Sequence, residues 1–137
     1  MSGYVDLHSH YLPGVDDGVR TLEESLRLLT GLKALGYDEV VATPHIRTAM
    51  FENRKPGLEK AFAELSSILD LSTVPKLSLA AEHYFDDVFF ALLDKDQVLP
   101  YRANKSILIE FRYEAWPVSL EKRIFKIELA GYMPVIA

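Results

Sequence analysis

Short apolar runs alternate with amphipathic stretches along this chain, and each kind of segment follows the other in turn. Residues 4–7 read as a first strand. Leu22, Leu26, Leu29, Leu32 and Leu35 recur at three- and four-residue spacing, which predicts a helix with these leucines in the core. Thr21 and Glu24 fit a capping box at its start, and Gly36 fits a stop at its end. Residues 40–42 form a short buried strand closed by Thr43 and Pro44. A second helix is predicted over 57–71, with Leu58, Phe62, Leu65 and Leu69 on one face. Residues 76–81 read as a third strand, and Asp86 opens a short helix through Leu93. Residues 106–111 read as a fourth strand. Its Ile107, Leu108 and Ile109 are continuously apolar, as in a strand buried on both faces. Pro117 suits the first turn of a fourth helix carrying Leu120, Ile124 and Ile127, and Gly131 ends it. Residues 134–137 begin a fifth strand.

This order predicts an α/β fold. About four β-α units plus a fifth strand give parallel strands with outer helices, in a single domain over 1–137. The last residues, Met133-Pro134-Val135-Ile136-Ala137, are apolar, whereas a terminus is usually polar and frayed. Five strands also fall short of the roughly eight that close a barrel. The expectation is that the chain is part of a longer protein or that a partner completes the sheet. An uncovered sheet edge invites self-association, so a homo-oligomer is a further expectation.

Composition narrows the chemistry. A 49% hydrophobic content suffices for a sizeable core. The net charge of -5 disfavours nucleic-acid partners. The absence of cysteine excludes disulfides and thiolate metal sites, so any metal must be held by His, Asp or Glu. The N-terminus has neither the basic flank nor the apolar core of a signal peptide, and no apolar run approaches the roughly 20 residues of a membrane span. A cytoplasmic location without membrane insertion is expected.

The chemistry-bearing residues recur at one kind of place, the carboxyl end of a predicted strand. His8 and His10, then Asp16 and Asp17, follow the first strand. His45 follows the second, Glu82 and His83 the third, and Glu110 closes the fourth. In parallel α/β folds these ends share one face, where ligands bind. His8 and His10 are two apart, so on an extended segment both imidazoles point the same way. Imidazole and carboxylate donors together suit zinc, manganese or iron. Ions held close together acidify a bridging water and clamp a phosphoryl group. The same residues have ordinary alternatives: Val-Asp-Asp-Gly as a turn, Thr-Pro-His as a strand end, Glu110 as an ion-pair partner. His83, beside Glu82, is read as structural and facing the other way. Arg47 is read as a substrate-phosphate ligand through its fork of donors, or as a solvated loop residue. Phe51 and Tyr84 line a slot for an aromatic substrate or pack the loop.

The motifs Asp6-Leu7-His8-Ser9-His10, Val15-Asp16-Asp17-Gly18 and Ala42-Thr43-Pro44-His45 resemble the PHP (polymerase and histidinol phosphatase) superfamily. Leu12-Pro13-Gly14, Met50-Phe51-Glu52, Ala81-Glu82, Leu108-Ile109-Glu110-Phe111 and residues 131–137 make the chain most similar to bacterial tyrosine-protein phosphatases of capsule and exopolysaccharide operons. The resemblance implies a distorted (β/α)7 barrel, of which this chain is the N-terminal half, with about three divalent ions. Manganese is the expected metal, with iron, zinc and magnesium as alternatives. It implies that His8 and His10 hold a first ion with Glu82, which bridges to a second ligated by Glu110, and that Asp17 and His45 belong to a third. Glu82, His45 and Asp17 are thereby assigned to the catalytic centre. The nucleophile is expected to be a metal-bound hydroxide, and the substrate a phosphotyrosine protein, a bacterial tyrosine kinase of polysaccharide export. In the family a His-Pro-Glu-Arg segment and a later Asp-x-His supply further ligands, and neither is present here. A small-molecule phosphoesterase, acting for example on histidinol phosphate, and an inactive metal-binding or regulatory module are the competing expectations.

Overall fold

The computed structural model describes residues 3–112 and 114–137. In chain order the elements are β1 (Tyr4–Ser9), α1 (Leu22–Ala34), β2 (Tyr37–Ala42), β3 (His45–Ile46), α2 (Lys55–Ile68), β4 (Lys76–Leu79), β5 (Glu82–Tyr84), α3 (Asp87–Asp94), β6 (Ser106–Glu110), α4 (Leu120–Leu129) and β7 (Met133–Ile136). Every pairing between these strands is parallel. The expected α/β class with parallel strands is therefore what forms. The chain divides into two compact units, one over 1–44 and 56–79, the other over 45–55 and 80–137.

The first unit carries a three-stranded sheet in the order β1-β2-β4. Thr21 caps α1 by accepting from Glu24 N at 3.2 Å, while Glu24 reaches back to Arg20 N at 2.7 Å, one residue before the cap. Gly36 ends the helix at φ +93°, a conformation that L side chains rarely adopt. The leucine stripe of α1 is only partly core. Leu29 is buried, whereas Leu22, Leu26 and Leu35 are exposed. The buried line runs instead through Ser25, whose hydroxyl donates to Tyr11 O at 2.7 Å and so buries without an unmet hydrogen bond. Leu35 lies past the helix end as its C-cap. Tyr11 is fully buried and donates its hydroxyl to Ser78 O at 3.0 Å.

The second unit carries a four-stranded sheet in the order β3-β5-β6-β7. Residues 76–81 do not form one strand. β4 ends at Leu79, and Glu82 starts β5 in the other sheet. β3, at two residues, is too short to leave a periodicity in the sequence. Asp86 caps α3 through Phe89 N at 2.8 Å, as expected. Pro117 lies upstream of α4 instead of in its first turn, because Ser119 at φ +58° interrupts helical geometry before Leu120. The stripe of Leu120, Ile124 and Ile127 does face inward, with Ile127 fully buried.

Candidate metal centre

Strand register builds the principal cluster, which lies wholly in the second unit. His45 sits opposite Glu82 in the β3–β5 pairing, and Tyr84 sits opposite Glu110 in the β5–β6 pairing. Side chains alternate along a strand, so His45, Glu82, Tyr84 and Glu110 share one face of this sheet. Ile46, His83 and Ile109 share the other.

On the first face, His45 Nδ1 lies 3.5 Å from Glu82 Oε2 and 3.6 Å from Glu110 Oε2. Two donors each about 2.1 Å from one ion stand no more than about 4.2 Å apart, so both separations suit shared coordination. One ligand atom from each of the three residues falls within 4.8 Å of the other two. Glu82 is buried, and Glu110 Oε2 is buried with no hydrogen-bond partner among the described residues. Leaving a carboxylate oxygen desolvated and unbonded is expensive. A divalent cation among these three side chains would satisfy that oxygen and offset the two carboxylates. The donor set, one imidazole and two carboxylates, suits manganese, iron or zinc.

The segment after β3 holds His45 in place. Phe51 stacks on its ring at 5.2 Å between centroids and 15° between planes. Asn53 Nδ2 donates to His45 O at 2.8 Å. Arg47 and Phe51 exchange backbone hydrogen bonds of 3.0 and 2.8 Å, closing a tight loop in which Ala49 takes φ +65°. Arg47 Nη1 donates to Glu110 Oε1 at 3.2 Å, and its guanidinium lies 4.2 Å from the centre of the Tyr84 ring. Phe51 and Tyr84 thus pack the His45 and Arg47 side chains.

His83 is the structural histidine the sequence suggests. It is fully buried, its Nδ1–H donates to Leu108 O at 3.2 Å, and its Nε2 accepts from Leu99 N at 3.2 Å. Burial holds its pKa down to about 4 against hydrogen bonds that raise it, so the ring is neutral near pH 7.

The first unit carries the other expected ligands. The His8 and His10 rings lie side by side, 5.3 Å between centroids. β1 shifts register between Asp6 and Ser9, where two residues face one on β2. Such a bulge re-aims side chains. His10 Nδ1 bonds Asp16 Oδ2 at 2.8 Å. With Nδ1 the donor, the coordinating lone pair is on Nε2. Asp16 Oδ1 also accepts from Gly18 N at 3.0 Å, and Gly18 is so close to His10 that a Cβ there would collide with it. Asp17 is exposed in the same turn. Sequence reasoning placed Asp17 among the ligands and gave no role to Asp16, which is the acid that holds His10. It also missed Asn53 and the Tyr84 contact to Arg47. Two adjacent acids before a glycine are the signal for an Asx turn, but they do not say which one turns toward an imidazole.

Parallel β-α units bearing a His, Glu, Glu cluster define the chain as a PHP-type α/β protein with the makings of a metal centre. The family model for capsular polysaccharide synthesis, CpsB/CapC, matches residues 4–137, and the chain belongs to that family. It is 30% identical over 135 residues to the tyrosine-protein phosphatase YwqE of Bacillus subtilis, covering 97% of this chain and 53% of YwqE. It is 28% identical over 134 residues to the tyrosine-protein phosphatase CpsB of Streptococcus pneumoniae, covering 97% of this chain and 55% of CpsB. A solved structure from a study of those two proteins, described as metal-dependent tyrosine phosphatases, superimposes with a TM-score of 0.87 at 27% identity. That match covers 97% of this chain and 54% of the other. The chain spans about half the length of the curated relatives it matches. Among the described residues no helix is long and apolar enough to cross a membrane.

Proposed function

We propose that this chain contributes to a metal-dependent phosphatase that hydrolyses phosphotyrosine on a protein. The observation that carries the reading is the His45, Glu82 and Glu110 cluster, with a buried Glu110 oxygen that has no hydrogen-bond partner among the described residues. Its occurrence in a chain related to tyrosine phosphatases supplies the substrate class. In this reading residues 1–137 form part of a PHP-type barrel.

His45, Glu82 and Glu110 would hold a divalent ion, manganese first among the candidates, and His8, His10 and Asp17 are carried forward as further ligands. Bound there, divalent ions supply positive charge to phosphoryl oxygens and make a water more acidic. The chain's own residues do the rest. Glu82 and Glu110 present negative oxygens from adjacent strands of one rigid sheet, a placement that costs little reorganisation. Phe51 covers one face of the His45 ring and keeps water from it. Arg47 holds a substrate phosphate oxygen through donors of its fork other than the Nη1 bound to Glu110. The phosphoprotein is a bacterial tyrosine kinase of polysaccharide synthesis, met in the cytoplasm.

The test is hydrolysis of a phosphotyrosine peptide by a protein carrying this chain at the full length of its relatives, with manganese and with a strong chelator. Turnover that depends on the metal and falls at least about 100-fold in Glu82→Gln is expected. Turnover unaffected by the chelator would overturn the reading. A much higher rate on histidinol phosphate would move the substrate to small phosphate esters.

A further inference from the structure

The two oxygens of Glu110 have different surroundings. Oε1 accepts from Arg47 Nη1 at 3.2 Å, while Oε2 is buried, lacks a hydrogen-bond partner among the described residues, and lies 3.6 Å from His45 Nδ1. An arginine–carboxylate pair that served only the fold would favour the bidentate arrangement, fork to fork. Here a single nitrogen takes a single oxygen, and the other oxygen is turned to the imidazole.

Arg47 is itself held. Its guanidinium lies 4.2 Å from the centre of the Tyr84 ring. Tyr84 is the register partner of Glu110, so the backbone sets ring and carboxylate side by side on one face. The loop that returns at Phe51 fixes the Arg47 backbone through two hydrogen bonds. Three torsions separate a glutamate carboxylate from its backbone, and freezing them costs conformational entropy. An anchor on Oε1 makes that payment in advance of ion binding.

We propose that Arg47 and Tyr84 form a clamp that aims Glu110 Oε2 at the cation, which makes both of them positioning residues of the metal centre. The inference rests on the metal reading above and adds a role to Arg47 beyond phosphate binding. Tyr84 acts through its ring face and not its hydroxyl. A lysine at 47 would keep the charge but lose the planar fork and its stacking on the ring.

The experiment is titration of the chain with Mn2+ alone, followed by calorimetry, with melting of each variant in chelator as a check on folding. Arg47→Met and Tyr84→Leu should each weaken Mn2+ binding, Arg47→Met by about ten- to a hundredfold. Tyr84→Phe should retain the affinity of the parent chain, and Arg47→Lys should restore only part of it. Combining Arg47→Met with Glu110→Gln should weaken binding no further than Glu110→Gln alone. Should Arg47→Met fail to fold, Arg47→Lys and the two Tyr84 variants decide. Unchanged or tighter Mn2+ binding in Arg47→Met, or in Arg47→Lys and Tyr84→Leu, would overturn the clamp while the metal reading stands. So would a Tyr84→Phe loss as large as that of Tyr84→Leu. Equal binding by the parent chain and Glu110→Gln would overturn the metal reading, and the clamp with it.

Discussion

His45 and Glu82 face each other across the parallel pairing of β3 and β5, with Nδ1 and Oε2 3.5 Å apart. The two are 37 positions apart in sequence, yet their approach is set by backbone register, which side-chain motion alone cannot undo. Glu110 adds its Oε2 to the same imidazole from β6. An ion bound among the three would thus be linked to the fold of the second unit as well as to its chemistry.

That linkage predicts a thermal effect. Mn2+ at about 100 times its dissociation constant should stabilise the chain by about 2.7 kcal/mol. For a chain of this size that is a rise of about 10 °C in Tm. Glu82→Gln should lose the rise, while its melting in chelator stays close to that of the parent chain or increases, because a buried charge has been removed. Melting curves with Mn2+ and with chelator provide the check, and an undiminished rise in the variant would contradict the assignment.

Asp16 should matter for metal affinity more than for folding. Its carboxylate bonds His10 Nδ1 at 2.8 Å and so favours the lone pair on Nε2. Asp16→Asn should lower the affinity of ions held by His10 about tenfold, with little change in the urea midpoint. Equal affinity in the variant would remove Asp16 from this role.

Gly18 should not tolerate a side chain. A Cβ there would collide with His10. Gly18→Ala should cost about 1–3 kcal/mol and displace His10 as well. Urea unfolding measures the first effect, and a shift of the His10 ring resonances measures the second. Neither would appear if the turn simply relaxed.

His83 should give the protein a pH dependence of stability that does not involve metal. Burial lowers its pKa from the ordinary 6.5 to about 4. Between these values the unfolded chain binds the proton more readily than the folded one. The contribution is therefore complete above pH 6.5 and is lost as pH falls from 6.5 toward 4, by about 3 kcal/mol at most. His83→Phe should be less stable at pH 7, since the Leu99 N–H loses its acceptor, but its profile over that window should be flatter. Unfolding by urea in chelator, pH by pH, reads this directly, and parallel profiles for the two proteins would count against it.

Much of this arrangement was legible in the sequence. The alternation of apolar runs with amphipathic stretches gave the parallel α/β class, and caps such as Thr21, Gly36 and Asp86 marked helix ends where they fall. Period-two alternation was enough to set Glu82 and His83 on opposite faces. What stayed hidden depended on tertiary register. The exposure of Leu22 and Leu26 follows from which side of α1 packs, and a small buried Ser25 on that side leaves no hydrophobic signal. The break between Leu79 and Glu82 and the two-residue β3 are shorter than any periodicity can reveal. The contact of Tyr84 with Arg47 joins residues 37 apart, through a pairing no local pattern encodes.

His45, Glu82 and Glu110 should jointly hold a divalent ion. Crystals grown with Mn2+ and measured at the manganese absorption edge test it most directly. An anomalous peak is expected about 2.2 Å from His45 Nδ1, Glu82 Oε2 and Glu110 Oε2. A map with full manganese occupancy elsewhere on the chain and no peak among these three side chains would contradict it.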